Sequence, residues 1–561
     1  MTEEVVAAPQ IRDLEDVRGV SADEVTARER TGQSARVPRA NPQLRYFCYA
    51  ALVVVVVVFS LIRIHLRTVP LERDEGEYAY SGQLMLQGIP PYQLAYNMKL
   101  PGTYAAYAVL MAAFGQTTEG IRIGMLVVLL CNTVLIFLLT RRLFGLLAAT
   151  VAVGTYTLLV NRLPTMSLDG HATHFIVLTA LAGIFLLLSA IDTQKKTTLF
   201  LSGACFGLAF LMKQHGILFA VFAGLLWMWT EWRHSANWRK MAEGVGILAG
   251  GVVVPFLLTC AYIWRAGVFS QFWFWTISYA AEYEKLLKPS EGMKLLNLVL
   301  PWVPRPTVFW LMAAFGITAL FWNHRARKHR AFILSFAIFS TLAVIPGLYF
   351  RPHYFLVMLP AVAILAGIGI SAAHDYLEEH RFSKAIIWIP VAFFVISYCS
   401  ALYGQRKYLV EMSPDAVNRA MHSGHGFPEA VVVADYVKSH TSDQDRVAIF
   451  GSEPEIYFYS GRHSATGYIY MYPLLEEQKF AVHMQNEMMR EVETSKPKLL
   501  VVHDNQLTWG WLREWDANDP KMKIFNWMRE YLNSNYDLVA EVPVYTAKPG
   551  DPRRYYIFQR K

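Results

Sequence analysis

Four carboxylates fall within six residues in the stretch LERDEGEYAY, Leu71 to Tyr80: Glu72, Asp74, Glu75 and Glu77. In a helix, Asp74, Glu77 and Tyr78 would share a face, because residues three and four apart are neighbours, while Glu75 would point elsewhere. Such a group is either an ordinary solvated turn or acid–base machinery, in which a positioned Asp takes a proton from a reacting hydroxyl. Other polar stretches supply its potential partners. Lys99, in YNMKLPGTY, precedes a proline and a short aromatic segment, where its side chain either snorkels to lipid headgroups or holds a phosphate. NRLPTMSLDGHATHF brings Arg162, Asp169, His171 and His174. Its two histidines, three apart, permit a metal without requiring one. Lys213 and His215 make a polar corner in KQHG, and Arg351 and His353 make another in LYFRPHYFLVMLP.

The elements that must position these groups are membrane helices. The 561-residue chain is 54% hydrophobic and only 17% charged, a balance that points away from a soluble protein. Its net charge of +8 is no nucleic-acid footprint, because the basic residues sit in short clusters between apolar runs. All five cysteines lie in apolar segments, with neither a disulfide framework nor metal-ligand spacing. Residues 1–44 lack apolar periodicity and are expected to form a disordered cytoplasmic tail. The run from Tyr46 to Ile64 is long enough to cross a bilayer core of about 30 Å. Further spans are predicted near 120–140, 146–160, 172–190, 198–213, 216–230, 241–264, 298–322, 331–350, 354–372 and 385–403, about eleven in all within a membrane domain of 45–404. The segment 104–115 is too short to span and is expected to lie at the interface.

Loop charges set the orientation. Arg141-Arg142, Lys195-Lys196, residues 231–240 and residues 323–330 fall on one side, which the excess of Lys and Arg marks as cytoplasmic. The acidic stretch, the Asp169 loop, the KQHG corner, the 265–297 loop and RPHYF then share the outer face. A multi-pass protein of the cell (plasma or inner) membrane is expected, with its N-terminus in the cytoplasm. After residue 405 the pattern changes. RVAIFGS and KLLVVH read as buried strands, EAVVVADYVKSH and NWMREYLNS as helices. An extracytoplasmic α/β domain over 405–561 follows, with no Gly-rich phosphate loop and no sign of chemistry. The aromatics of GSEPEIYFYSGRHSATGYIYMY either pack its core or line a sugar-binding face.

With these stretches in view, RDEGEYAYSGQLMLQGIPPYQLAYNMKLPGTYAAYAVLMAAFGQTTEGIRIG resembles the first outer loop of the membrane-embedded glycosyltransferases of the C type (the GT-C fold). It is most similar to the protein O-mannosyltransferases and lipid A aminoarabinose transferases. The matching positions are Asp74-Glu75 with Tyr78, Lys99-Leu100-Pro101, Phe114-Gly115 and Arg122, with Leu100 standing where the family usually has a proline. NRLPTMSLDG is similar to the second outer loop, and RPHYFLVMLPAVAILAG to a late span.

The resemblance implies a catalytic loop at 65–103 and a donor sugar on a polyprenyl phosphate, transferred with inversion at the outer face. It implies Asp74 as base, with Glu75 and Asp169 as positioning or metal-binding groups. Lys99, Lys213, Arg351 and Arg162 are the expected phosphate-binding cations, with Tyr78, His171 and His353 beside them. The acceptor would be a protein, a glycolipid or a polysaccharide, and membrane lipid the surrounding partner. A divalent metal is admitted but not demanded, and no other cofactor is expected. The competing reading is a polytopic transporter or lipid flippase. Transporters place polar groups near the bilayer midplane and repeat their halves, whereas these charges gather at one face.

Overall fold

The computed structural model describes residues 42–422, 424–504, 523–545 and 553–561, so all but the last three residues of the expected tail lie outside the described residues. The helices run in the order α1 (Pro42–His65), α2 (Arg73–Leu86), α3 (Gly102–Phe114), α4 (Thr118–Phe144), α5 (Leu146–Leu159), α6 (Ala172–Thr193), α7 (Lys196–Met212), α8 (Ile217–Ser235) and α9 (Trp238–Arg265). Then come α10 (Thr307–Trp322), α11 (Arg330–Leu342), α12 (Leu359–Glu379, entered through a 3-10 turn at Pro352–Met358) and α13 (Ile389–Gly404). Five of the described helices are long and apolar enough to cross a membrane: α1, α4, α6, α9 and the Pro352–Glu379 unit.

The eleven expected spans overlap helices, only five of them long and apolar enough to cross, and three boundaries differ. The 385–403 span is broken at Trp388, between Lys384–Ile387 and Ile389–Gly404. Residues 298–306 are not continuous with α10: the separate helix Pro289–Val299 ends first, and Pro306 starts the new one. Residues 343–350 leave the helix at Ala343 and form the loop that carries Tyr349 to Arg351. Small residues set the close pairs. A Cβ on Gly203 of α7 would collide with the Leu248 carbonyl of α9, and one on Gly251 with the Phe200 carbonyl, so these two helices approach backbone to backbone. The 104–115 segment is α3, which packs between α2 and α4 with Tyr104 and Tyr107 fully buried.

Beyond α13 lie α14 (Pro414–Met421), α15 (Phe427–His440), β1 (Arg446–Phe450), α16 (Glu455–Ser460), β2 (His463–Ser464), α17 (Ala481–Ser495), β3 (Leu499–His503), α18 (Lys523–Asn535), β4 (Tyr536–Pro543) and β5 (Arg554–Arg560). The sheet order is β2-β1-β3-β5-β4, with β1 parallel to β2 and β3, and β5 antiparallel to β3 and β4. The two expected strands and two expected helices are present; the β4–β5 hairpin adds the edge. This half does not stand apart. Residues Cys48–Lys561 form one compact unit, and one apolar core joins Tyr78, Tyr80, Tyr104 and Tyr107 to Val447, Ile449, Tyr457 and Tyr470. Those aromatics pack, as the first alternative held. A Cβ on Gly76 would lie 2.6 Å from the Glu455 backbone nitrogen, so α2 rests directly on the start of α16.

Candidate active site

Glu72 caps α2. Its carboxylate accepts from the Glu75 backbone N–H at 3.1 Å, and Glu75 accepts from the Glu72 N–H at 3.3 Å, a reciprocal capping box that also places acids at the positive end of the helix. This start fixes the rotation of everything after it. Asp74 and Glu77 face one way and Glu75 the other, as helical spacing requires. The loop carrying Asp169 is held by Arg63 of α1, which donates to Asn161 Oδ1 at 2.8 Å and to the carbonyls of Val160, Ser167 and Leu168.

Lys99 Nζ sits between the first two acids. It donates to Asp74 Oδ1 at 2.9 Å and to Glu77 Oε2 at 2.6 Å, and lies 4.6 Å from the Tyr78 ring centroid. Glu77 is fully buried and also accepts from Tyr104 at 2.5 Å and from Tyr470 of the C-terminal half at 2.9 Å. Burial raises its carboxyl above the usual range, although Lys99 opposes this. Asp74 keeps 18% of its side chain exposed. Burial would raise it too, but Lys99, then Arg351 and His171, outweigh that and hold it well below the usual carboxylate range. Asp74 is therefore the ionised, reachable acid of the pair.

Glu75 has a different office. It forms a buried ion pair with Arg122 of α4 and accepts the Gly170 N–H at 2.5 Å. None of its surface is exposed, and these contacts hold the Asp169 loop against α2. Asp169 is likewise buried; its Oδ2 lies 3.0 Å from His422 Nε2 and 3.7 Å from His171 Nε2. Burial would raise Asp169, but His422, His171 and Arg122 pull it below its usual value.

The four expected phosphate cations divide. Lys213 Nζ sits 3.7 Å from the Tyr354 ring centroid and Arg351 Cζ 5.7 Å from that of Tyr349. Among the described residues neither is within ion-pair distance of a carboxylate, and both act electrostatically on Asp74 or one another. Lys99 is instead enclosed by two acids, which offset its charge towards any anion. Arg162 differs from the other three in what it touches. It is 4% exposed and donates to the Val303 and Trp302 carbonyls, so its guanidinium fastens the loop before α10.

His171 and His353 stack with ring centroids 3.9 Å apart, planes 18° from parallel. Both nitrogens of His171 and Nδ1 of His353 lack a hydrogen-bond partner among the described residues. With Asp74 they offer ligand atoms within 4.8 Å of one another. Burial lowers His171 to about 4 against the pull of Asp169 and Asp74, so its imidazole is neutral and able to ligate. The donor types fit a divalent ion such as zinc or manganese. Stacked rings cannot both aim at one ion, so one must turn to bind it. His174 takes no part; its Nε2 lies 3.1 Å from the Asp169 carbonyl.

The C-terminal half, in which no sequence motif signals chemistry, brings side chains to this site. It supplies Tyr470 to Glu77 and His422 to Asp169, and its Glu476 feels the charge of Arg351. No local motif marks these residues. They matter because the apolar core folds this half onto α2.

The sequence pattern of the dolichyl-phosphate-mannose-protein mannosyltransferase family matches residues 99–263, the stretch from Lys99 through α9. No curated protein sequence matches the chain significantly. Among solved structures, the chain superposes on ArnT from Cupriavidus metallidurans bound to undecaprenyl phosphate with a TM-score of 0.55, at 16% identity over 91% of this chain and 98% of that one. The apo state of the same protein gives 0.52 at 16% identity, over 90% and 97% of the two chains. The oligosaccharyltransferase AglB from Archaeoglobus fulgidus, in complex with an inhibitory peptide and a dolichol-phosphate, gives 0.52 at 13% identity, over 85% and 72%. The chain thus has the GT-C fold of the membrane glycosyltransferases, a multi-pass α-helical assembly with a small C-terminal sheet.

Proposed function

We propose that this protein transfers a monosaccharide from a polyprenyl phosphate to an acceptor hydroxyl, with inversion, at the membrane face that carries Asp74. The observation that carries this reading is one ionised, reachable carboxylate beside two cations that have no acidic partner among the described residues, at one end of a bundle with a glycosyltransferase fold. Phosphate oxygens suit Lys213 and Arg351: the first is a half-buried ammonium whose charge an anion would stabilise, the second a permanently charged fork.

The acceptor oxygen attacks the anomeric carbon while the bond from that carbon to the phosphate oxygen breaks. The hydroxyl proton passes to Asp74, and the electron pair leaves with the polyprenyl phosphate. An Asp held ionised by Lys99 is well aligned but weakly basic. Most of the barrier must therefore be lowered by charge stabilisation on the departing phosphate rather than by proton removal. Glu75, Arg122 and Asp169 hold the two outer loops in register around that step. A divalent ion on Asp74, His171 and His353 would supply further positive charge for the phosphate.

Clustering of the charged groups at one end favours this reading over a transporter, whose binding groups belong near the midplane. The test is mass analysis of envelope glycans and glycolipids after gene deletion, with complementation by wild type and by Asp74→Asn. Loss of one specific sugar, restored only by wild type, is expected. An unchanged glycan and glycolipid profile would sink the proposal.

A further inference from the structure

Next to Arg351 the surface carries an aromatic face that sugar transfer, as derived so far, does not use. Tyr283 and Tyr349 lie with ring centroids 5.0 Å apart and planes 15° from parallel, and both are half-buried rather than enclosed. They come from separate outer loops, one following α9 and the other preceding Arg351. Tyr279, one turn before Tyr283, donates to Glu476 Oε2 at 2.7 Å. Glu476 belongs to the C-terminal half, so three distant segments meet here.

A surface built only for packing would enclose its rings and would not hold a carboxylate among them, since burying a charge without a cation partner is unfavourable. Among the described residues no cation lies within ion-pair distance of Glu476, and no donor reaches its Oε1. Burial lifts its carboxyl to about 7, although Tyr279 and Arg351 oppose this. Flat aromatic faces beside a carboxylate with spare lone pairs match a sugar: the C–H face stacks on the rings, and a hydroxyl donates to the acid.

We infer that Tyr283, Tyr349 and Glu476 form a carbohydrate subsite that grips the monosaccharide carried on the donor phosphate. This rests on the transferase reading above. Arg351 favours the donor sugar over an acceptor, because it acts on both Asp74 and Tyr283 and its Cζ lies 5.7 Å from the Tyr349 ring centroid. A phosphate held by Arg351 therefore has its attached sugar beside the tyrosine pair.

The test is binding of farnesyl phosphate, and of its mannosyl, glucosyl and arabinosyl esters, to the full chain in detergent. Glu476→Gln and Tyr283→Ala should weaken the best ester by about tenfold while farnesyl phosphate stays within about twofold. Tyr283→Phe keeps the stacking face and should bind that ester like wild type. Equal losses for ester and farnesyl phosphate, or no loss for the ester, overturn the subsite. Normal ester binding with a raised KM for acceptor overturns the assignment to the donor. Failure of wild type to bind farnesyl phosphate at all would instead refute the transferase reading.

Discussion

His422 Nε2 lies 3.0 Å from Asp169 Oδ2, although 253 residues separate them in the chain. Asp169 stands at the mouth of α6, and His422 closes α14 in the C-terminal half. The same carboxylate is 4.0 Å from Arg122, which in turn clamps Glu75 on α2. One buried chain of charges thus ties the C-terminal half, the Asp169 loop and the helix of Asp74 together. Such networks specify a single arrangement when every member is satisfied, and lose more than one bond when a member goes.

Removing the histidine tests that tie. His422→Ala leaves Asp169 Oδ2 without its donor, and a buried acceptor without a partner costs about 1–3 kcal/mol. The unfolding midpoint in detergent should fall accordingly, and His422→Gln, which can still donate, should recover part of the loss. An unchanged midpoint in the alanine variant would mean that the contact contributes nothing to assembly.

Asp74→Asn keeps the side-chain shape and removes the proton acceptor. Turnover should drop about 10²-fold or more with the fold intact. Glu77→Ala acts differently, because it strips a fully buried partner from Lys99, Tyr104 and Tyr470. It should lower stability by about 3–5 kcal/mol, the cost of breaking a buried pair. Matched thermal unfolding of the two variants separates chemistry from assembly; equal destabilisation would remove the distinction drawn between these acids.

For the phosphate, Lys213→Ala and Arg351→Ala should each weaken farnesyl phosphate binding by about one to two decades, the worth of a charge-assisted contact. Lys99→Ala should cost turnover more than binding, since its ammonium already serves Asp74 and Glu77. If Lys99→Ala alone abolishes binding, the cation assignment reverses.

Much of this was legible from spacing alone. Asp74 and Glu77 share a face and Glu75 does not because the helix period fixes it, and apolar run lengths located the helices. Three other features were not legible. Lys99 looked free for a phosphate because nothing local shows that Glu77, off the family motif, turns back to meet it. Arg162 looked like a site cation because its carbonyl partners lie 140 residues and more downstream. Tyr470, His422 and Glu476 carry no pattern at all; they reach the site only because the C-terminal half shares an apolar core with α2 and α3.

Glu476 also predicts a pH dependence of stability. Its folded pKa, raised from 4.5 to about 7, exceeds the unfolded value, so between these limits the folded state binds the extra proton. Its contribution is therefore fully present below about pH 4.5 and lost as pH rises through about 7. Wild-type stability relative to Glu476→Gln should fall across that window and then level. A constant difference from about pH 5 to 8 would show that the carboxyl titrates normally.

Orientation can be settled independently of chemistry. Lys and Arg collect in the loops at the ends of α4, α8 and α10 that lie away from Asp74, and such residues accumulate on the cytoplasmic side. Ser442, exposed at the end of α15, belongs to the half that carries His422, Tyr470 and Glu476. Arg327, exposed in the short basic helix after α10, belongs to the other end. In a variant lacking the five native cysteines, Ser442→Cys should react with a membrane-impermeant thiol reagent in intact cells. Arg327→Cys should react only after the cells are opened. Both sites are exposed, so a failure to label reports the membrane barrier rather than burial. Labelling of Arg327→Cys alone would place Asp74, Lys213 and Arg351 in the cytoplasm. The donor sugar would then have to be presented on that face, and the proposal of transfer at the outer surface would fall while the chemistry of Asp74 stood.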